Sequence, residues 1–120
     1  ARGVRVFRWD MRGCGAGVGM ASRPYHAGCS EDLRRVIESV LGWCSNDEGD
    51  AVCRLTLFGV SLSGNIVLKY LGESPESIPV QIEQAIAVNP PIDLAASVKT
   101  LSGRINRMYD RHFVGSLMRH

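Results

Sequence analysis

The chain has 120 residues, 45% of them apolar, with 14 Lys and Arg against 12 Asp and Glu for a net charge of +2. That length allows one domain at most, and so small a charge points to no nucleic-acid partner. No run of 18 or more apolar residues is present, so nothing in the sequence reads as a membrane span.

The charge is uneven: the residues from Lys99 onward carry +4 and those before it −2. The chain opens Ala1-Arg2-Gly3 and closes Met118-Arg119-His120, and from this we expect a piece of a longer protein. The four cysteines, Cys14, Cys29, Cys44 and Cys53, have wide spacings that suit no zinc site. They read as reduced thiols in a cytoplasmic setting.

Val4-Arg5-Val6-Phe7-Arg8-Trp9 alternates and is rich in β-formers, which predicts a strand. A glycine-dense loop follows, from Arg12 to Gly19. It lacks the G-K-[ST] ending of a phosphate loop, and no helical pattern comes directly after it, so a dinucleotide site is weakly supported. Ser30 is placed to cap a helix whose first turn holds Glu31 and Asp32. Leu33, Val36, Ile37, Val40 and Leu41 then recur at helical spacing, and Gly42 is expected to close the helix.

After a polar loop, Ser45 to Asp50, comes the most informative stretch. Strand-like residues from Arg54 to Phe58 run into Gly59-Val60-Ser61-Leu62-Ser63-Gly64, and an apolar helical pattern begins at once. A serine at the corner between strand and helix, among small residues, is the pattern of a nucleophile elbow. Such a turn would present the Ser61 hydroxyl above the sheet edge and aim the Leu62 N–H at a developing oxyanion. Two other readings fit the same residues: Ser61 as an ordinary helix cap, and a helix N-terminus that cradles an anion.

Ile66, Val67, Leu68, Tyr70 and Leu71 make the elbow helix apolar nearly all round, which predicts burial. Gly72-Glu73-Ser74-Pro75 breaks it. Ala85-Ile86-Ala87-Val88 reads as a strand covered on both faces. Asp93 can then cap a helix from Leu94 to Leu101. A second stripe, Ile105, Met108, Tyr109, His112 and Phe113, predicts a final helix. Arg104, Arg107 and Arg111 lie off that stripe, either on a solvated face or approaching acidic or lipid headgroups. The order predicts a doubly wound parallel α/β arrangement with about three strands, whose ligand edge is the carboxyl ends of the strands.

Taken together, several segments resemble a known family. They are Trp9-Asp10-Met11-Arg12-Gly13-Cys14-Gly15, Tyr25-His26-Ala27-Gly28, Asp32-Leu33, Gly59-Val60-Ser61-Leu62-Ser63-Gly64-Asn65, Lys69-Tyr70-Leu71-Gly72-Glu73 and Asn89-Pro90-Pro91-Ile92-Asp93-Leu94. In order and spacing they resemble the YheT-like branch of the α/β-hydrolases, the AB hydrolase 4 family, and the resemblance covers nearly the whole chain. It implies that residues 1–94 are the central part of a hydrolase core and that residues 95–120 begin a helical cap.

The resemblance implies a serine esterase or lipase-like acyltransferase acting on small-molecule or lipid esters. Ser61 would be the nucleophile and the Leu62 N–H one oxyanion donor, with no metal and no cofactor. The triad acid, its histidine and the second oxyanion donor would lie outside these residues. The family usually has glycine where Ser63 stands, which puts the elbow geometry in question.

His26 matches a family histidine that is not the base, and a loop-organising hydrogen bond is expected of it. His112 is expected as a packed cap residue, while His120 cannot be assigned. Asp93 comes one strand too early to be the triad acid, and Asp10 and Arg12 are expected to hold the loop beneath the site. Cytoplasmic location, with peripheral membrane contact left open, completes these expectations. The rival reading is a non-catalytic α/β module that binds an anion or small ligand at the elbow.

Overall fold

The apolar stripe of the first predicted helix folds as α1, Ser30–Asn46, in a computed structural model that describes residues 3–46, 53–103 and 106–117. Leu33, Ile37 and Val40 are buried along it, and Val36 and Leu41 are half-buried. Gly42 does not end the helix. A mid-helix glycine costs only about 1 kcal/mol, and the last turn has its own anchorage, because Trp43 stacks on Phe7 with ring centroids 5.9 Å apart. The polar loop expected from Ser45 therefore starts later, and residues 47–50 lie outside the described ones.

Two strands form the sheet among the described residues: β1, Leu55–Val60, and β2, Ile82–Val88. They run parallel, with Phe58 beside Ile86 and Val60 beside Val88. The crossover between them is α2, Leu62–Glu73, followed by a 3-10 turn at Pro75–Ser77. A parallel pair needs such a crossover to bring the chain back to the starting end.

The core lies between α1, α2 and one face of this sheet. Cys29, Leu33, Ile37, Ile66, Val67 and Tyr70 are buried together, with Leu55, Leu57 and Ile82 packed against them from the strands. Arg34 lies 5.2 Å from the centre of the Tyr70 ring, and burial raises the Tyr70 phenol above its ordinary pKa. α2 is not buried all round as expected: Leu68 is exposed and Leu71 half-buried. One side of it meets the core and the other faces out.

Three further expectations are corrected. Residues 4–9 form no regular element and join no ladder among the described residues. Strand propensity needs a backbone partner to become a strand. Here Phe7 lies on Trp43, and Trp9 and Met11 pack against the core instead. β2 is not covered on both faces, since only Ile82 and Ala87 are half-buried. The expected sheet of about three strands has two among the described residues, in a mixed α/β arrangement in which α2 packs on one face of both strands and α1 packs on α2. The opposite face, with Phe58, Val60, Ile86 and Val88, is exposed.

The last two helices are α3, Leu94–Leu101, and α4, Arg107–Leu117, which pack against each other. His112 and Met108 are exposed rather than packed, as are Arg107 and Arg111. Of the expected second stripe, Ile105 falls outside the described residues, as do Arg104 and His120. No described helix is long and apolar enough to cross a membrane.

Candidate functional site

β1 ends at Val60 and α2 begins at Leu62, so Ser61 alone makes the corner between them. Its backbone sits at φ +54°, ψ −123°. A side chain at positive φ and this ψ is strained by about 1–3 kcal/mol and persists only where its surroundings fix it. Ser61 and Asn89 are the two non-glycine residues with positive φ among those described.

The surroundings that fix it are on three sides. The Ser61 N–H donates to the Val88 carbonyl at 2.8 Å, joining the corner to β2, and its carbonyl accepts from the Asn65 N–H at 3.2 Å. Gly59 is buried, and a Cβ placed on it would stand 2.6 Å from the Ser63 carbonyl oxygen and 2.7 Å from the Gly64 nitrogen. Only glycine lets the strand approach the helix start this closely. Gly64 is also buried, and a Cβ there would lie 3.3 Å from the Pro90 Cβ and 3.5 Å from the Ala87 Cβ. The glycine of close helix–strand packing thus falls one place later than in G-x-S-x-G.

Ser63, the residue that departs from that pattern, is accommodated by hydrogen bonding. Its Oγ accepts from the Val60 N–H at 2.8 Å and donates to the Val60 carbonyl at 2.7 Å. Along a strand, successive residues direct their backbone groups to opposite sides. Ser61 faces β2, so Val60 faces the outer edge of β1, and Ser63 occupies two polar groups that no described strand reaches.

Ser61 is exposed, and its hydroxyl has no hydrogen-bond partner among the described residues. It does not cap α2, which sets aside the second reading of this corner: a cap needs extended φ/ψ and an acceptor aimed at the N2 or N3 amide, and Ser61 has neither. Leu62 is the first residue of α2, a position whose N–H has no acceptor within the helix. A hydroxyl and an open N–H therefore adjoin at the carboxyl edge of the sheet.

Asn89 follows β2 as Ser61 follows β1, and the Val60–Val88 pairing makes the two corners neighbours. Its φ of +47° is one that asparagine adopts more readily than most residues. The sequence offers that tolerance as a signal, although Asn89 attracts notice there only as part of a longer motif. Beyond it, the Asn65 side-chain amide donates to the Pro91 carbonyl at 3.1 Å and ties α2 to the loop after β2.

The other candidate residues serve the scaffold. His26 Nδ1 accepts from the Gly28 N–H at 3.0 Å, the loop-organising bond expected of it. Asp93 caps α3, accepting from the Ala96 N–H at 2.8 Å. Ser30 is the first residue of α1 rather than its cap; its buried hydroxyl accepts from Lys69 Nζ at 2.8 Å and lies 3.5 Å from the Gly28 carbonyl. Neither His26 nor Asp93 bonds to Ser61.

Arg12 grips Asp32 on α1 through two parallel hydrogen bonds, the Nε one at 2.6 Å. That pairing holds the Asp32 carboxyl below its ordinary pKa, first through the hydrogen bond and against a desolvation cost. Asp10 lies against Gly15, whose φ is +55°, and an added Cβ at Gly15 would overlap the Asp10 carboxylate. At the far end of α1, a hydrogen bond with Cys44 and burial push the Cys53 thiol up to about 11. All four cysteines are free thiols. Among the described residues, no three His, Cys, Asp or Glu side chains are grouped to hold a metal.

Comparison of the chain with protein-family models, with curated proteins and with solved structures finds no match.

Proposed function

We propose that Ser61 is the nucleophile of a serine hydrolase or acyltransferase that acts on carboxylic esters, within a protein of the α/β-hydrolase type. The observation that carries this reading is the Ser61 backbone, φ +54° and ψ −123°, at a strand–helix corner built around Gly59 and Gly64. Strained side-chain-bearing residues concentrate at functional sites, and this one leaves its hydroxyl exposed and unpartnered among the described residues.

In the proposed reaction a histidine takes the Ser61 proton as Oγ attacks the ester carbonyl. The Leu62 N–H stabilises the oxyanion, and water or an alcohol then resolves the acyl-enzyme. The histidine and its acid partner are expected from sequence beyond these 120 residues. The chain by itself should turn over slowly, because loss of the base costs several orders of magnitude.

The test is intact mass after a fluorophosphonate probe, on the protein with its flanking sequence, beside Ser61→Ala. One adduct, lost in Ser61→Ala, is the expected result. A folded protein that takes up no probe would sink the hydrolase reading. It would favour the second one, a non-catalytic cradle for an anion or small ligand, to which the open Leu62 N–H and the absence of a described base beside Ser61 give support.

A further inference from the structure

We infer that Ser63 is a positioning residue for Ser61, a clamp that holds the corner in its strained conformation; the catalytic part of this inference rests on the nucleophile reading above. Ser61 and Leu62 are spanned by a ring of contacts from Val60 to Ser63, closed by two hydrogen bonds to one hydroxyl. Val60 and Ser63 are the residues on either side of the corner. For Ser61 to relax to negative φ, the path between them must change, and both bonds must break.

The other restraints do not duplicate this one. The Ser61 N–H bond to Val88 fixes the inner side of the corner toward β2. Gly59 and Gly64 permit close approach but apply no force of their own. The outer side of Val60, where no described strand pairs, is held by Ser63 alone among the described residues. A glycine at position 63, the usual residue in a G-x-S-x-G corner, would leave the Val60 N–H and carbonyl to solvent or to a further strand. The clamp also closes the β1 edge at Val60, so a third strand on that side should pair no further along than Phe58.

The experiment compares Ser63→Ala, which removes the hydroxyl, with Ser63→Thr, which keeps it. Two NMR readouts are taken on the chain itself: exchange of the Val60 amide, and the Ser61 one-bond Cα–Hα coupling, which separates positive from negative φ. In Ser63→Ala, Val60 exchange should rise about tenfold and the Ser61 coupling should move toward the negative-φ value, while core amides such as Ile66 keep their protection. Ser63→Thr should retain both wild-type readouts. Unchanged Val60 exchange and unchanged Ser61 coupling in Ser63→Ala would overturn the clamp.

The third readout is the rate of fluorophosphonate labelling of Ser61 in the protein with its flanking sequence. It should fall about tenfold to a hundredfold in Ser63→Ala and recover in Ser63→Thr. A wild-type rate in Ser63→Ala would overturn the positioning role. If wild-type Ser61 does not label, the nucleophile reading fails separately, and the two NMR readouts still decide whether Ser63 holds the corner.

Discussion

The corner at Ser61 depends on what is missing from the residue two places before it. A methyl group at Gly59 would fall 2.6 Å from a backbone oxygen and 2.7 Å from a backbone nitrogen of α2. Backbone of a packed helix cannot step aside as a flexible side-chain end can. Gly59→Ala is therefore expected to destabilise the fold by about 1–3 kcal/mol, as overpacking typically does. Gly42 supplies the control, because it lies within α1 with nothing inside 4 Å of an added Cβ. Gly42→Ala should stabilise by about 0.4–1 kcal/mol through the unfolded chain's lost freedom. Urea unfolding midpoints measure both. A Gly59→Ala midpoint equal to wild type would mean that the close approach of β1 to α2 is wrong.

At the scale of elements, the helices were the most legible part of the sequence. The α1 stripe, the Asp93 cap and the break after Glu73 all depend on spacing within one segment, and spacing is what a sequence displays. What it could not display was whether a partner is present. Residues 4–9 have the composition of a strand and β2 that of a buried one, yet a ladder and a covering helix must come from elsewhere in the chain. The corner itself was legible from its small residues, but the repair at Ser63 was not. Nothing in the string S-L-S-G says that the second serine turns back to Val60.

The loop before α1 illustrates the same limit and yields a pH dependence. Arg12 and Asp32 are 20 residues apart, and their two-pronged pairing fastens the glycine-dense loop to the first turn of α1. Asp32 is more acidic in the folded chain than in the unfolded one. On acidification the unfolded chain takes up this proton first, so the pair's contribution is complete above the ordinary Asp range, near pH 4. It is lost as pH falls through that range toward the depressed value. Glu73, lowered by Lys69, acts with the same sign. The stability gap between wild type and Asp32→Asn should stay constant from neutral pH to about pH 5 and shrink below about pH 4. A gap that ignores pH over this range would show that the pairing does not persist in solution.

For the molecule as a whole, the uncovered sheet decides behaviour. A packed chain of this length has a radius of gyration of about 14 Å, whereas this one has 16.7 Å. Its extents of 55 × 32 × 29 Å are those of an elongated body, and on its sheet Phe58, Val60, Ile86 and Val88 stand exposed on the face away from α2. A two-stranded sheet with open edges and a bare apolar face invites association. The 120-residue chain should therefore self-associate with rising concentration in sedimentation velocity. Phe58 and Ile86 are cross-strand partners, so Phe58→Lys with Ile86→Glu would replace an apolar pair by an opposite-charge pair that strands accept. Both side chains are already exposed, at 64% and 46%, so little burial is lost with them. The double variant should sediment as a monomer with its unfolding midpoint nearly unchanged. Association that survives this change would place the sticky surface elsewhere, and a wild-type chain that stays monomeric would mean that the bare face does not drive contact at all.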